Sequence, residues 1–94
     1  MRRTLQSRIM LISLNSRSHR NLVEEFVRLR EAAGLTQRDL AKRLKVSQSY
    51  VAQIEKGQKH IALFAFPAYC RALGVSSSDI LDMFKKYVLR EALD

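Results

Sequence analysis

From residue 21 onward the apolar positions recur at helical rather than alternating spacing. Leu22, Phe26 and Leu29 fall at i, i+4 and i+7 with Val23 beside them, which predicts a first helix over 21–33. Asn21 is a fitting N-cap, Glu24 and Glu25 suit the positive end of the helix dipole, and Gly34 is a natural stop. A second helix is predicted after Thr36, an N-cap whose reciprocal partner is Asp39, with Leu40, Ala41 and Leu44 on its buried face. Only Lys45 and Val46 then precede another cap, Ser47. The third helix, 48–56, buries Val51 and Ile54 and stops at Gly57.

Residues 61–73 are apolar at nearly every position (Ile61, Leu63, Phe64, Phe66, Tyr69, Leu73) and predict the core helix. Pro67 removes a backbone donor and clashes with the turn before it, so this helix is either kinked or starts near Pro67. Gly74 ends it. Ser76, Ser77 or Ser78 caps a last helix, in which Ile80, Leu81, Phe84, Val88 and Leu89 recur at helical spacing. With 3 Gly and 1 Pro in 94 residues, an all-α fold of five helices is expected. The second and third helices, joined so tightly, must cross steeply, as in a helix-turn-helix.

Charge adds a partner to this picture. Lys and Arg number 17 against 9 Asp and Glu, a formal net charge of +8. A small domain so basic suits a polyanion, because each phosphate neutralised releases counterions; an anionic membrane surface would satisfy the same arithmetic. Residues 1–20 carry Arg2, Arg3, Arg8, Arg17 and Arg20 with no acid, and are set apart as a basic N-terminal extension, the domain proper being 21–94. Its apolar run Ile9–Ile12 is shorter than a secretory h-region and no small-residue cleavage site follows; the Arg- and Ser-rich start also has the composition of an organellar transit peptide. The extension is either an ordered arm or a flexible tail. No apolar run approaches the ~20 residues that span a bilayer. Cys70 is the one cysteine, so no internal disulfide can form, which fits a reducing compartment.

The segment from Thr36 to Gly57, TQRDLAKRLKVSQSYVAQIEKG, resembles the phage-repressor and Cro-like helix-turn-helix domains of the XRE family, whose fold is that of the lambda repressor. The resemblance covers about residues 22–83 and is strongest over 34–57. Leu40, Ala41, Leu44, Val46, Val51 and Ile54 stand where that family packs its two motif helices together, and ALGVSSSDIL (72–81) resembles its connection between fourth and fifth helices. The resemblance implies that 48–56 is the recognition helix, with Gln48, Ser49 and Gln53 toward base edges in the major groove. Glutamine suits this, since its amide can bond adenine N6 and N7 together, whereas Ser49 would specify less. Tyr50 departs from the small polar residues usual there. Gln37 stands where the family bonds a phosphate at a helix N-terminus. Arg38, Arg43, Lys56, Lys59 and His60 are read as further phosphate contacts, which position without specifying. Arg30 and Glu55 stand where the family has an orienting ion pair. Lys45 occupies a turn position where the family usually has Gly or Asn, and a positive φ there would strain it mildly.

Cys70, His60 and His19 match no zinc spacing, and no nucleophile with a positioned base, phosphate-cradling loop or acidic pair is evident. No metal, cofactor or enzymatic activity is expected. The aromatic set Phe64, Phe66, Tyr69, Phe84 and Tyr87 reads as core rather than as a base-stacking platform. The expected protein is a cytoplasmic, bacterial or phage-encoded transcriptional regulator, a repressor, that binds double-stranded DNA as a homodimer. Its dimer contact lies either on the C-terminal helix (Tyr87, Val88, Leu93) or on Ile9–Leu14. The alternative is an antitoxin-like or other interaction module of the same fold, with a toxin or other protein as partner.

Overall fold

The computed structural model describes residues 17–93; the expected arm, with Ile9–Leu14, Arg2, Arg3 and Arg8, lies outside the described residues. Five helices and no strand are found among the described residues: α1 (Arg17–Ala32), α2 (Gln37–Leu44), α3 (Gln48–Glu55), α4 (Phe66–Ala72) and α5 (Ser77–Met83). The last runs on through a π-helical stretch (Phe84–Leu89) into a final turn (Arg90–Leu93). None of these helices is long and apolar enough to cross a membrane.

Local chemistry sets most of the boundaries. Thr36 and Asp39 form a reciprocal capping box, the Asp39 N–H donating to Thr36 Oγ1 at 3.0 Å and the Thr36 N–H to Asp39 Oδ2 at 2.9 Å. These bonds hold the Asp39 carboxyl below the usual carboxylate range. Ser47 and Ser76 cap α3 and α5 by accepting from the Tyr50 and Asp79 N–H groups. Four helices end by one device, in which a residue in the left-handed region turns the chain while its own N–H and that of the next residue reach back to the last free carbonyls. Gly34, Gly57 and Gly74 fill that position after α1, α3 and α4, and Lys45 fills it after α2 with φ 58°. The Lys45 N–H donates to the Lys42 carbonyl at 3.2 Å and the Val46 N–H to the Ala41 carbonyl at 3.0 Å. The chain is thereby swung directly into the Ser47 cap, which fixes the crossing of α2 and α3.

The core draws on α1 to α4: Leu22 and Phe26, Leu40 and Ala41, Val51 and Ile54, then Phe66, Tyr69, Cys70 and Leu73. Phe26 is its hub, with ring centroids 4.6 Å from Tyr69 and 6.0 Å from Phe66. Ala41, buried between α2 and its neighbours, is small where helices approach. Burial pushes the Cys70 thiol up to about 11, which keeps it protonated and inert.

Three sequence-based expectations are corrected. The first helix includes Arg17 to Arg20, so Asn21 lies inside it and is not its cap. His19 is buried, its ring edge-on to His60 at 4.7 Å, and that contact holds the added turn against the segment after α3. The fourth helix starts near Pro67, one of the two alternatives that the sequence leaves open, so residues 61–65 lie outside it. Pro67 sits in its first turn, the place where a missing N–H costs nothing. The preceding residues close a separate turn, with the Ala65 and Phe66 N–H groups both reaching the Ala62 carbonyl. That turn directs Leu63 and Phe64, expected in the core, to solvent at 60% and 93% exposure. Finally, α5 and its π-helical continuation hold no fully buried residue; Ile80, Met83, Phe84, Tyr87 and Val88 are half-buried.

Lys45 in a glycine geometry gives a direct prediction. The left-handed conformation costs a side-chain-bearing residue about 1–2 kcal/mol, and glycine's extra chain entropy returns about 0.5–1 kcal/mol of that. Lys45→Gly should therefore stabilise the fold by about 0.5–1 kcal/mol, read as a higher urea midpoint at unchanged slope. An unchanged or lower midpoint would show that Lys45 carries no strain.

Candidate nucleic-acid interface

At about 100° per residue, the buried Val51 and Ile54 fix the orientation of α3. The arc opposite them holds Gln48, Ser49, Ala52, Gln53 and, just past the helix, Lys56. Gln48, Ser49 and Gln53 are exposed, as is Lys56. The expected base-reading residues are thus brought together on one outward face.

A clamp of hydrogen bonds ties this helix to the rest of the domain. Arg30 Nε donates to Glu55 Oε2 at 2.6 Å and Arg30 Nη2 to Glu55 Oε1 at 3.1 Å. Arg30 Nη1 donates to the Leu35 carbonyl at 2.8 Å. Gln37 Nε2 then donates to Glu55 Oε1 at 2.9 Å. The pair is largely desolvated, with side-chain exposures of 14% for Arg30 and 6% for Glu55. The Arg30 guanidinium is pushed above its ordinary pKa chiefly by its hydrogen bond to Glu55, so it is charged at every accessible pH. Four elements meet here: α1, the turn after it, the start of α2 and the end of α3. The ion pair was legible in the sequence; the engagement of Gln37 with it was not. One amide hydrogen of Gln37 is committed to Glu55, leaving the other for an outside acceptor.

The expected phosphate contacts divide by environment. Arg38, in the first turn of α2, and Lys56, just past α3, are both exposed. Lys59 sits with Nζ 5.0 Å from the Tyr50 ring centroid, a cation–π contact that fixes its position beside the start of α3. This also gives the atypical Tyr50 a role: its ring is half-buried and packs on the core while its face steadies a cation. His60 is exposed and meets His19 edge-on. Arg43 is placed differently from expectation. It lies five residues beyond Arg38, about 140° round α2, on the opposite flank. Its Nη1 donates to the Ala72 carbonyl at 3.0 Å, where it caps the negative end of α4. Sequence adjacency alone had grouped it with the groove-facing cations. Among the described residues no cluster of three or more potential metal ligands occurs.

The clamp should be costly to break from one side, because Glu55 would be left as an unpaired, desolvated carboxylate. Arg30→Ala is expected to destabilise the fold by about 3 kcal/mol, measured by urea denaturation. A loss below about 0.5 kcal/mol, the scale of an exposed pair, would demote the clamp to a surface contact.

Comparison with known proteins agrees with this geometry. The family model described as Helix-turn-helix (HTH_3) matches residues 27–80. The HTH-type transcriptional regulator y4dJ of Sinorhizobium fredii is 35% identical over 56 residues, covering 60% of this chain and 73% of that protein. The solved XRE-family like protein from Pseudomonas syringae pv. tomato is 29% identical, with a TM-score of 0.65 over 72% of this chain and 83% of its own. The restriction-modification controller protein C.Esp1396I, solved as a tetramer in complex with its natural 35 base-pair operator, shares the fold. It is 21% identical at a TM-score of 0.66, over 85% of this chain and 100% of its own. Helix order, caps, orienting pair and these likenesses lead to one conclusion: the chain belongs to the XRE-type helix-turn-helix family of DNA-binding transcriptional regulators.

Proposed function

We propose that this protein is a repressor that binds a specific double-stranded operator as a homodimer, acting in the cytoplasm without a catalytic step. The observation that carries the reading is the outward face of α3. Gln48, Ser49 and Gln53 stand exposed together there, on a helix whose other side is locked into the core and whose end is clamped by Arg30 and Glu55. Gln48 and Gln53 would read base edges, with Ser49 a less selective contact. Gln37, Arg38, Lys56, Lys59 and His60 would hold phosphates and set the register.

The dimer half of the proposal is supported by an apolar surface. Among the described residues, five of the six exposed large hydrophobics lie on the turn before α4, on α5 or on its continuation: Leu63, Phe64, Leu81, Leu89 and Leu93. Phe64, 93% exposed, forms part of the wall of a groove of about 360 Å³ that is also lined by Phe66, Pro67, Ile80, Leu81 and Phe84. A projecting ring and a groove in one patch suit a two-fold contact, since each copy offers the other both a knob and a recess. A monomer rarely leaves so continuous an apolar patch in water. Controller protein C.Esp1396I, of the same fold, assembles as a tetramer on its operator.

Selection from a random duplex library at near-physiological salt tests the function, with an enriched inverted repeat as the expected result. On that duplex Gln48→Ala should cost about 1–3 kcal/mol and relax one base position per half-site, while Lys56→Ala should weaken all sequences alike and lower the salt slope by about one. Fluorescence anisotropy measures both, and a Gln48→Ala protein with unchanged sequence preference would contradict the assignment. Phe64→Asp should turn a dimer into a monomer by sedimentation equilibrium without unfolding it. A wild-type protein monomeric at all concentrations would refute the dimer and hand the surface to a dissimilar partner, such as the toxin of an antitoxin pair.

A further inference from the structure

Among the five side chains on the outward arc of α3, four are polar and one is not. Ala52 lies one turn after Gln48, flanked by Ser49, Gln53 and Lys56, and opposite the buried Val51 and Ile54. It is partly exposed. Sequence reading passes over it as helix filler, since alanine has no hydrogen bond to offer. In a groove lined by donors and acceptors, however, an apolar group in the middle of the reading face must meet something that is neither.

Only one base edge in the major groove presents such a group: the C5 methyl of thymine. We infer that Ala52 is a specificity-determining residue whose methyl packs on a thymine methyl. It thereby selects T over C at one position of each half-site. Geometry places that position. Residues four apart on a helix are displaced by about 6 Å along its axis, and base pairs are stacked about 3.4 Å apart. The thymine therefore lies within about two base pairs of the base read by Gln48. The short side chain has a second consequence: Ala52 sets the closest approach of the α3 backbone to the base edges, which brings Gln48 and Gln53 within bonding reach. This inference rests on the proposal that α3 enters the major groove.

The test removes one methyl from each side. In the duplex enriched by the wild-type protein, each thymine in turn is replaced by uracil, which keeps every hydrogen-bonding group and lacks only the C5 methyl. Binding is measured by fluorescence anisotropy for the wild-type protein and for Ala52→Gly. Wild type should lose affinity about fourfold at one position per half-site, the order expected for one buried methyl group. That position should lie within two base pairs of the one relaxed by Gln48→Ala. In Ala52→Gly the same replacement should change affinity by less than about 1.5-fold, the coupling expected of two groups in contact. The thymine-to-uracil ratio is taken within each variant, so a partly unfolded population scales both affinities alike. If circular dichroism shows that Ala52→Gly does not fold, Ala52→Ser carries the same comparison, with its hydroxyl replacing the apolar contact. The inference is overturned if no uracil weakens the wild-type protein, or if the penalty persists in the Ala52 variants. Should Gln48→Ala relax a base while uracil is silent everywhere, Ala52 alone has failed. Should no duplex be enriched at all, the major-groove proposal fails and this one with it.

Discussion

The carboxylate of Glu55 is where separate segments of the chain are made to agree. It accepts twice from Arg30 on α1 and once from Gln37 at the start of α2, while itself standing on the last turn of α3. Leu40 and Ala41 on α2 and Val51 and Ile54 on α3 pack the two motif helices into one core. Apolar packing is not directional, whereas a desolvated, multiply bonded pair at the end of the helix is, because any tilt lengthens several charge-assisted bonds at once. Such a pair adds little net stability over an apolar substitute; its contribution is to make one orientation far cheaper than its neighbours.

The rest of the interface follows from that fixed orientation. With α3 held by its end, its outward face presents Gln48, Ser49 and Ala52, and the Ser47 cap keeps the first turn wound. The Schellman closure at Lys45 delivers the chain to that cap in two residues, at the cost of a lysine in a conformation that glycine occupies after three other helices. Tyr50 turns from the face toward the core and holds Lys59 at the helix start. Arg30 also bonds the Leu35 carbonyl, so the clamp orders the turn that begins α2 as well as the helix that ends at Glu55.

What could be read from the sequence was local, and what could not was decided by tertiary contact. Thr36 with Asp39, Ser47, Ser76 and the glycine stops act within a turn of themselves, so α2 and α3 and the start of α5 were legible to the residue or nearly so. The orienting pair and the outward glutamines followed from the family pattern. Residues 61–65 were misread because hydrophobicity says nothing of direction. The turn ahead of Pro67 sends Leu63 and Phe64 outward, and only the surface they join gives that a purpose. The start of α1 was misjudged because His19 looks polar in isolation but is buried against His60. Arg43 was grouped with the interface cations because a charge has no face in a sequence; its position on α2 sends it to the end of α4 instead. Ala52 drew no notice because a methyl group signals nothing until it is seen among polar neighbours.

The claim on which all of this turns is that the outward face of α3 lies in the major groove. Methylation protection on the duplex the protein prefers tests it directly, because dimethyl sulfate marks guanine N7 in the major groove and adenine N3 in the minor groove. Protection of guanine N7 in two patches one helical turn apart, with adenine N3 left reactive there, is the predicted result. Protection confined to adenine N3, or no protection at saturating protein, would contradict it.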